Sequence, residues 1–253
     1  MSNITTIGVI GLGNAGAPIL NNLNKSNKYK LIAFDIDEKK LNDIPKNIIK
    51  ATSIKNLAEQ CNVVLTCLPK PEHVLEAVGG KEGLLQNAST GMVWIDTSTT
   101  NFKQTQELAI KASTYGVSML EATLTGGVHA LQNNNMVCLA GGDEDTFKLW
   151  KEVLQDAIGE VVVLCGKVGA GAIAKVVSNM LAFTNMVAVS ECMMIAKKAG
   201  LDLENFFDGI RVSAGNSFAW ETVVPHIFNQ KYESGFTMDL ACKDMNLSYL
   251  LGQ

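Results

Sequence analysis

Two hydrophobic patterns alternate over the first two thirds of the chain. Short apolar runs typical of buried strands recur between amphipathic stretches typical of helices. The predicted strands are 5–10, 30–35, 47–50, 62–67, 92–96, 117–121, 136–140 and 160–165. The predicted helices are 15–25, 38–42, 53–60, 70–78, 101–115 and 144–156. This alternation predicts a parallel sheet with helices on both faces. The run Asn133–Asn135 tolerates left-handed backbone and predicts a turn between two late strands that pair antiparallel.

The pattern changes after Gly166. Residues 169–199 predict one helix of about 45 Å that ends at the C-cap Gly200, and no convincing strand follows. We therefore expect an α/β protein: a Rossmann-type, doubly wound sheet at 1–166, followed at 167–253 by an all-helical domain led by a long interdomain helix. The apolar stretch 176–196 is long enough to cross a membrane, but its six polar residues favour a buried helix in a soluble protein.

Composition excludes several classes of protein. The 253 residues are 47% apolar and 18% charged, as in an ordinary globular protein, and the net charge of −4 argues against a nucleic-acid surface. Arg211 is the only arginine, which disfavours a site with several arginines on a phosphate. Six dispersed cysteines predict reduced, mostly buried thiols in a cytoplasmic protein, and three separated histidines predict no metal site. The N-terminus lacks a basic region, so we expect no signal peptide.

A glycine-rich turn carries the strongest functional signal. It lies between the first strand and the first helix and consists of Gly11, Leu12, Gly13, Asn14, Ala15 and Gly16. A G-x-G-x-x-G turn in this context directs backbone N–H groups at a dinucleotide diphosphate. Asp35 ends the predicted second strand, nineteen residues after Gly16, and is placed to bind the adenosine ribose. A carboxylate there favours NAD, while the nearby Lys39 and Lys40 leave NADP possible. The competing explanation is a turn that serves packing alone.

The predicted long helix carries a candidate acid/base group. Lys175 and Asn179 are four residues apart and therefore share one face of this helix, among apolar neighbours. Partial burial disfavours the charged form of a lysine and suits it to exchange a proton with a substrate oxygen. Asn179 would hold the same oxygen or orient the lysine. A surface lysine beside a core or capping asparagine explains the spacing equally well.

Three loops follow predicted strands, at the sheet edge where ligands of open α/β folds bind. Thr125, Gly126 and Gly127 offer a hydroxyl and accessible backbone N–H groups for a carboxylate. Leu68 and Pro69 form the second loop, and residues 96–100 form the third. An ordinary glycine turn and ordinary helix caps remain alternative explanations.

Taken together, these motifs resemble the β-hydroxyacid dehydrogenase family, which includes 3-hydroxyisobutyrate dehydrogenases and tartronate semialdehyde reductases. The resemblance extends from about residue 6 to 250 and rests on six motifs in order. They are the 11–16 turn, Leu68–Pro69, Asp96–Thr99, Thr125–Val128, the helix with Gly169, Gly171, Lys175 and Asn179, and the segment Phe236–Asp244.

The resemblance implies a role for each motif. Lys175 is the general acid/base and Asn179 assists it. The 125–127 loop binds the substrate carboxylate, and the remaining positions serve the cofactor. Those cofactor positions are the 11–16 turn, Asp35, Leu68, Pro69, Thr99 and Lys243.

The chain departs from the family pattern at several positions. Ala15 replaces a methionine, Thr125 a serine, Glu121 an aspartate, and Ser178 an asparagine. The chain ends nine residues past Asp244, so we expect a C-terminally truncated helical domain.

The functional expectation is an enzyme that transfers a hydride between NAD, or NADP, and a small β-hydroxy acid of the 3-hydroxyisobutyrate or 2-hydroxy-3-oxopropionate type. We expect a homodimer or homotetramer with no nucleic-acid or membrane partner. The alternative from another class is a catalytically inactive or truncated dinucleotide-binding module. A 6-phosphogluconate dehydrogenase-like enzyme is disfavoured by the single arginine, and an imine-reducing relative by Lys175.

Overall fold

A computed structural model describes residues 5–232 and 236–253, apart from the side chains of Val128 and His129. Residues 1–4, which bear on the expected absence of a signal peptide, and the His129 side chain, which bears on the expected absence of a metal, lie outside the described part. The chain divides into two compact units, Met1–Lys175 and Val176–Gln253.

The first unit contains one mixed sheet. Within the described residues its strands are β1 (Thr6–Ile10), β2 (Lys30–Phe34), β3 (Ile49–Lys50), β4 (Val63–Thr66), β5 (Val93–Asp96), β6 (Ser118–Thr125), β7 (Val137–Gly142) and β8 (Val162–Gly166). Their order is β3-β2-β1-β4-β5-β6-β7-β8. All neighbouring strands are parallel except β6 and β7. The order reverses between β1 and β4, which makes the sheet doubly wound and confirms the predicted fold class.

Helices cover both faces of this sheet. They are α1 (Gly16–Ser26), α2 (Glu38–Asn42), α3 (Ile54–Ala58), α4 (Pro71–Gly79), α5 (Leu84–Asn87), α6 (Phe102–Thr114), α7 (Val128–Gln132) and α8 (Glu144–Ala157). Two apolar cores result. One joins β1 residues such as Ile7 to Leu20 of α1 and Leu154 of α8, and the other is built around the fully buried Trp94. The strands β1, β4 and β5 are buried along their whole length, as expected of the middle of a sheet covered on both faces.

Strand β6 is longer than predicted. It continues past residue 121 to Thr125 because it pairs antiparallel with β7, from Leu120 opposite Gly142 to Thr125 opposite Val137. The antiparallel pairing of the late strands is therefore confirmed. Asn134 adopts a φ of 51° in the connection between them, as the asparagine run predicted.

The described residues of the second unit contain helices and no strand. Helix α9 (Ala170–Lys198) begins in the first unit, and α10 (Leu203–Arg211), α11 (Phe218–Phe228) and α12 (Met238–Leu251) follow. Trp220 is the centre of its small core: its ring packs edge-on against Phe206, and its Nε1 donates a hydrogen bond to the Phe207 carbonyl oxygen.

Two expectations about burial are wrong. Helix α9 is long and apolar enough to cross a membrane by length and composition only, yet just 28% of its most apolar stretch is buried. The three shorter helices that follow it do not enclose a helix of 29 residues, so side chains such as Leu181 and Met194 are exposed. Three of the six cysteines, Cys165, Cys192 and Cys242, are exposed as well. Cys165 lies on the edge strand β8, and Cys192 lies on α9 itself.

Candidate active site

The glycine-rich turn has the geometry that a dinucleotide requires. Gly11 has a φ of +93°, and a Cβ there would overlap the Cys67 carbonyl oxygen, so the turn is tight. At Gly13 a Cβ would meet nothing within 4 Å, which leaves the backbone open to a ligand. A Cβ at Gly16 would overlap the Gly11 carbonyl oxygen, so this glycine lets the helix pack against the strand. These are the three glycine roles of a dinucleotide-binding turn.

Helix α1 begins in a way that suits an anion. Its N-cap, Ala15, makes no side-chain capping hydrogen bond, and its first turn contains no acidic residue. The first N–H groups of a helix carry a partial positive charge, and here no carboxylate on the helix offsets it. Leu12 points its side chain into the core and is only 4% exposed, whereas Asn14 is exposed. The turn therefore fits a bound diphosphate, and it would do so through its backbone.

Asp35 ties this turn to the second strand. Its Oδ2 accepts a hydrogen bond of 2.7 Å from the Leu12 N–H, and its Oδ1 accepts one of 2.9 Å from the Asp37 N–H. Lys40 forms an ion pair with the same carboxylate, with its Nζ 3.3 Å from Asp35 Oδ2. The carboxylate is thus held at the end of β2, beside the glycine turn, where an adenosine ribose would lie.

The loops after β4 and β5 are bonded to each other. The Leu68 N–H donates to Ser98 Oγ at 3.0 Å, and the Thr97 hydroxyl donates to the Thr66 carbonyl oxygen at 2.8 Å. Pro69 is exposed next to this junction, and Thr99 is half-buried. Because β1, β2, β4 and β5 run parallel, all these cofactor candidates lie at one edge of the sheet.

A buried polar chain beneath these loops was missed by sequence reasoning. Trp94 Nε1 donates to the Thr66 hydroxyl, which donates to Asp96 Oδ1, and the Ser98 N–H donates to the same oxygen. Burial raises the pKa of the Asp96 carboxyl to about 6, although both hydrogen bonds favour the ionised form. An aspartate at the end of a wholly apolar strand was the available signal.

The predicted carboxylate loop lies at the end of β6, on the same edge as the β5 loop since β5 and β6 are parallel. Thr125 is half-buried, and Gly126 and Gly127 are exposed with φ values of +123° and +88°. Such φ values strain any residue with a side chain, so glycine is required at both positions. A Cβ on Gly127 would meet nothing within 4 Å, which leaves its backbone accessible.

Glu121, earlier on β6, holds the beginning of α9. It is only 2% exposed and accepts hydrogen bonds from the N–H groups of Gly169 (2.6 Å), Gly171 (3.2 Å) and Ala172 (2.9 Å). Burial raises the pKa of this carboxyl, while the three N–H groups oppose the shift.

Helix α9 carries both residues proposed for proton transfer. Lys175 is half-buried near its start. Asn179 follows one turn later, about 6 Å along the helix axis. Asn179 is only 7% exposed and donates from Nδ2 to Asp244 Oδ2 at 2.6 Å.

Lys243 forms an ion pair with the same Asp244 carboxylate. The Lys243 Nζ lies 2.9 Å from Asp244 Oδ1 as an ion pair, without the alignment of a hydrogen bond. Asp244 is 2% exposed and belongs to α12, so a buried carboxylate connects two helices of the second unit.

Comparison with known proteins identifies the family. Residues 6–166 match the model for the NAD binding domain of 6-phosphogluconate dehydrogenase, and residues 169–253 match that for the NAD-binding domain of NADP-dependent 3-hydroxyisobutyrate dehydrogenase. The mitochondrial 3-hydroxyisobutyrate dehydrogenase of Mus musculus is 32% identical over 260 residues, which span 98% of this chain and 76% of that protein. The human enzyme is 32% identical over 254 residues, 96% of this chain and 74% of that protein.

Comparison with solved structures gives the same result. The 3-hydroxyisobutyrate dehydrogenase of Mycobacterium tuberculosis, solved with L-serine, has a TM-score of 0.89 at 29% identity and covers 98% of this chain and 86% of its own. Psf3, solved with NADP+ and 2-OPP, has the same fold with a TM-score of 0.88 at 21% identity, over 96% of this chain and 86% of its own. The chain belongs to the β-hydroxyacid dehydrogenase family. It is an NAD(P)-dependent oxidoreductase.

Proposed function

We propose that the protein catalyses hydride transfer between NAD(P) and a small β-hydroxy acid of the 3-hydroxyisobutyrate or 2-hydroxy-3-oxopropionate type. The observation that carries this proposal is on α9, where the half-buried Lys175 lies one turn before Asn179. The Asn179 amide is held by a buried carboxylate, so it presents a defined orientation. The similarity to 3-hydroxyisobutyrate dehydrogenases supports the same substrate class.

Proton transfer is the task of Lys175. Its amine takes the hydroxyl proton when the substrate is oxidised and returns a proton to the carbonyl oxygen when it is reduced. The Asn179 amide hydrogen-bonds that oxygen or orients the amine. Bound NAD(P) supplies the hydride acceptor in oxidation and the hydride donor in reduction.

We assign binding of the substrate carboxylate to the 125–127 loop. The Thr125 hydroxyl and the N–H groups of the exposed residues Gly126 and Gly127 offer neutral donors to a carboxylate, without an arginine. The methyl group of Thr125 narrows this subsite relative to serine. A contact of that size changes discrimination between three-carbon acids by about 1–3 kcal/mol.

The cofactor positions fall into two groups. The 11–16 turn and Asp35 bind the diphosphate and the ribose, while Leu68, Pro69, Thr99 and Lys243 contact the remainder. We assign cofactor binding to residues 1–166, and substrate binding and self-association to residues 167–253. Cytoplasmic location and a homodimer or homotetramer remain part of this proposal.

A panel assay tests the proposal. Purified protein is given NAD or NADP with 3-hydroxyisobutyrate, glycerate, 3-hydroxypropionate or serine, and NADH or NADPH formation is followed at 340 nm. We expect turnover with at least one of these acids. Bound cofactor with no turnover on any of them would contradict the proposal and favour the inactive module. 6-Phosphogluconate is assayed in parallel, and turnover with it alone would favour the 6-phosphogluconate dehydrogenase-like alternative.

A further inference from the structure

One carboxylate satisfies three donors at the start of α9. Glu121 Oε2 accepts from the Gly169 and Gly171 N–H groups, and Oε1 accepts from the Ala172 N–H. The first N–H groups of an α-helix have no partner within the helix, and a buried one must find a partner elsewhere. Both carboxylate oxygens are therefore used, and they contact three residues of a single turn.

The space for this carboxylate depends on two glycines. A Cβ on Gly141 of β7 would overlap Glu121 Oε2, and it would lie 2.8 Å from the Gly171 nitrogen. A Cβ on Gly171 would lie 3.0 Å from Glu121 Cβ and 3.1 Å from the Gly141 nitrogen. Strand β7, Glu121 and the first turn of α9 are therefore packed as closely as their backbones permit.

A second residue of β6 holds the same turn. The Thr123 hydroxyl contacts the Gly171 carbonyl oxygen at 3.1 Å and the Leu139 carbonyl oxygen at 2.8 Å. In an α-helix the carbonyl oxygen of residue 171 accepts from the N–H of residue 175. The turn that directly precedes Lys175 is thus fixed through both its N–H groups and a carbonyl group.

The same strand leads to the expected substrate loop. Glu121, Thr123 and Thr125 occupy alternate positions of β6 and so lie on one face of the sheet. Leu120, Ala122 and Leu124 occupy the other face and belong to the apolar core. One rigid strand therefore connects the anchor of α9 to the loop at Thr125.

We propose that Glu121 is a positioning residue that sets the place of Lys175 relative to the Thr125 loop by anchoring the first turn of α9 to β6. The proposal rests on the proposed function, since it needs Lys175 to be the proton-transfer group. Glu121 does not touch the reacting atoms. It acts by holding a helix end whose displacement by about 1 Å is enough to cost catalysis about a hundredfold.

The test compares three variants with the wild type, and Lys175→Met is assayed beside them. Glu121→Gln keeps the size of the side chain but replaces one acceptor oxygen with an NH2 group that faces backbone donors. Glu121→Asp keeps the carboxylate and shortens its reach. The control is Asp143→Asn, which removes a carboxylate that caps α8 through the Thr146 N–H on the protein surface. For each protein, kcat, KM, the NADH dissociation constant and the primary deuterium isotope effect are measured on folded material.

We expect kcat to fall at least thirtyfold in Glu121→Gln and three- to tenfold in Glu121→Asp. The NADH dissociation constant should stay within twofold, and the isotope effect should rise as hydride transfer becomes rate-limiting. Asp143→Asn should keep the wild-type kcat. Equal losses in both Glu121 variants would overturn the proposal, as would a kcat in Glu121→Gln that matches the control.

If Glu121→Gln does not fold, Glu121→Asp decides alone, and a wild-type kcat in that variant overturns the proposal. Failure of the proposed function is distinguishable, because then Lys175→Met would keep its turnover or the wild type would have none. Failure of the present inference leaves Lys175→Met inactive and the Glu121 variants unimpaired.

Discussion

Asn179 Nδ2 donates a 2.6 Å hydrogen bond to Asp244 Oδ2, so the amide beside the candidate acid/base is oriented by a buried carboxylate on another helix. Asparagine has two ends of opposite polarity, a carbonyl oxygen and an NH2 group. Because Asp244 accepts from the NH2 group, the amide is turned with its carbonyl oxygen away from Asp244. Asp244 therefore determines which group Asn179 presents.

Asp244→Asn should lower kcat at least tenfold. An asparagine at 244 can turn its own NH2 group toward Asn179, which would reverse the amide, and it also removes the charge that pairs with Lys243. Steady-state kinetics with a saturating acid substrate would measure the loss. The matched control, Asp239→Asn, changes an exposed aspartate in the first turn of the same helix and should leave kcat unchanged. Equal kinetics in the two variants would refute an orienting role.

The glycine turn predicts two opposite phenotypes. Gly13→Ala should fold with an unchanged unfolding midpoint, since its Cβ meets nothing within 4 Å, but should weaken NADH binding at least tenfold by obstructing the diphosphate. Gly16→Ala should lower the unfolding midpoint instead, since its Cβ overlaps the Gly11 carbonyl oxygen. Thermal unfolding and NADH fluorescence titration measure the two effects. A Gly13→Ala protein with wild-type NADH affinity would contradict diphosphate binding at this turn.

Asp35 predicts a preference for NAD. Its carboxylate would repel the 2′-phosphate of NADP, so kcat/KM should be at least tenfold higher with NAD. Asp35→Asn keeps acceptor oxygen for the Leu12 N–H and should shift the ratio toward NADP about tenfold. Asp37→Asn, which alters the neighbouring cap of α2, should leave the ratio unchanged. A wild-type preference for NADP would show that Lys40, paired with Asp35, dominates instead.

Buried Asp96 predicts a pH-dependent stability. Its pKa is about 6 in the folded protein against 3.8 for the free group, so the folded state binds the proton more tightly. This stabilisation is present at low pH and is lost as the pH rises from about 4 to about 6. The difference corresponds to about 3 kcal/mol.

Asp96→Asn should remove the loss of stability that the wild type shows as the pH rises. Urea unfolding at pH 4, 5, 6 and 7 would then show the variant gaining stability relative to wild type as the pH rises. Asp143→Asn provides a control of opposite sign, because the Thr146 hydrogen bonds lower the pKa of Asp143. A difference between Asp96→Asn and wild type that stays constant with pH would contradict the argument.

Much of the fold was predictable because it depends on local patterns. Strand β4 was expected at 62–67 and spans Val63–Thr66, and α8 was expected at 144–156 and spans Glu144–Ala157. The short helices α5 and α7 were not predicted, since each begins at a glycine with no capping side chain, whereas the equally short α2 and α3 begin at Asp37 and Ser53. The end of β6 was misplaced because the ladder with β7 that extends it is a tertiary pairing.

The site was predictable only in part, and for a similar reason. The glycine turn and the Lys175–Asn179 spacing are each contained in one segment of the chain. Glu121, by contrast, meets its partners 48 to 51 residues away, and Asn179 meets Asp244 65 residues away. An acidic residue within an apolar strand indicates that it has a buried partner, but it does not identify that partner.

The central claim is that Lys175 transfers the proton, and a single-turnover measurement tests it most directly. Enzyme loaded with NADH is mixed with the aldehyde that corresponds to an acid turned over in the panel assay, and hydride transfer is followed at 340 nm. The proteins are the wild type, Lys175→Met and the control Lys197→Met, whose lysine lies in the last turn of the same helix. We expect Lys175→Met to slow the step about a hundred- to ten-thousandfold with NADH affinity within twofold, and Lys197→Met to match wild type. Hydride transfer in Lys175→Met within threefold of wild type would contradict the account.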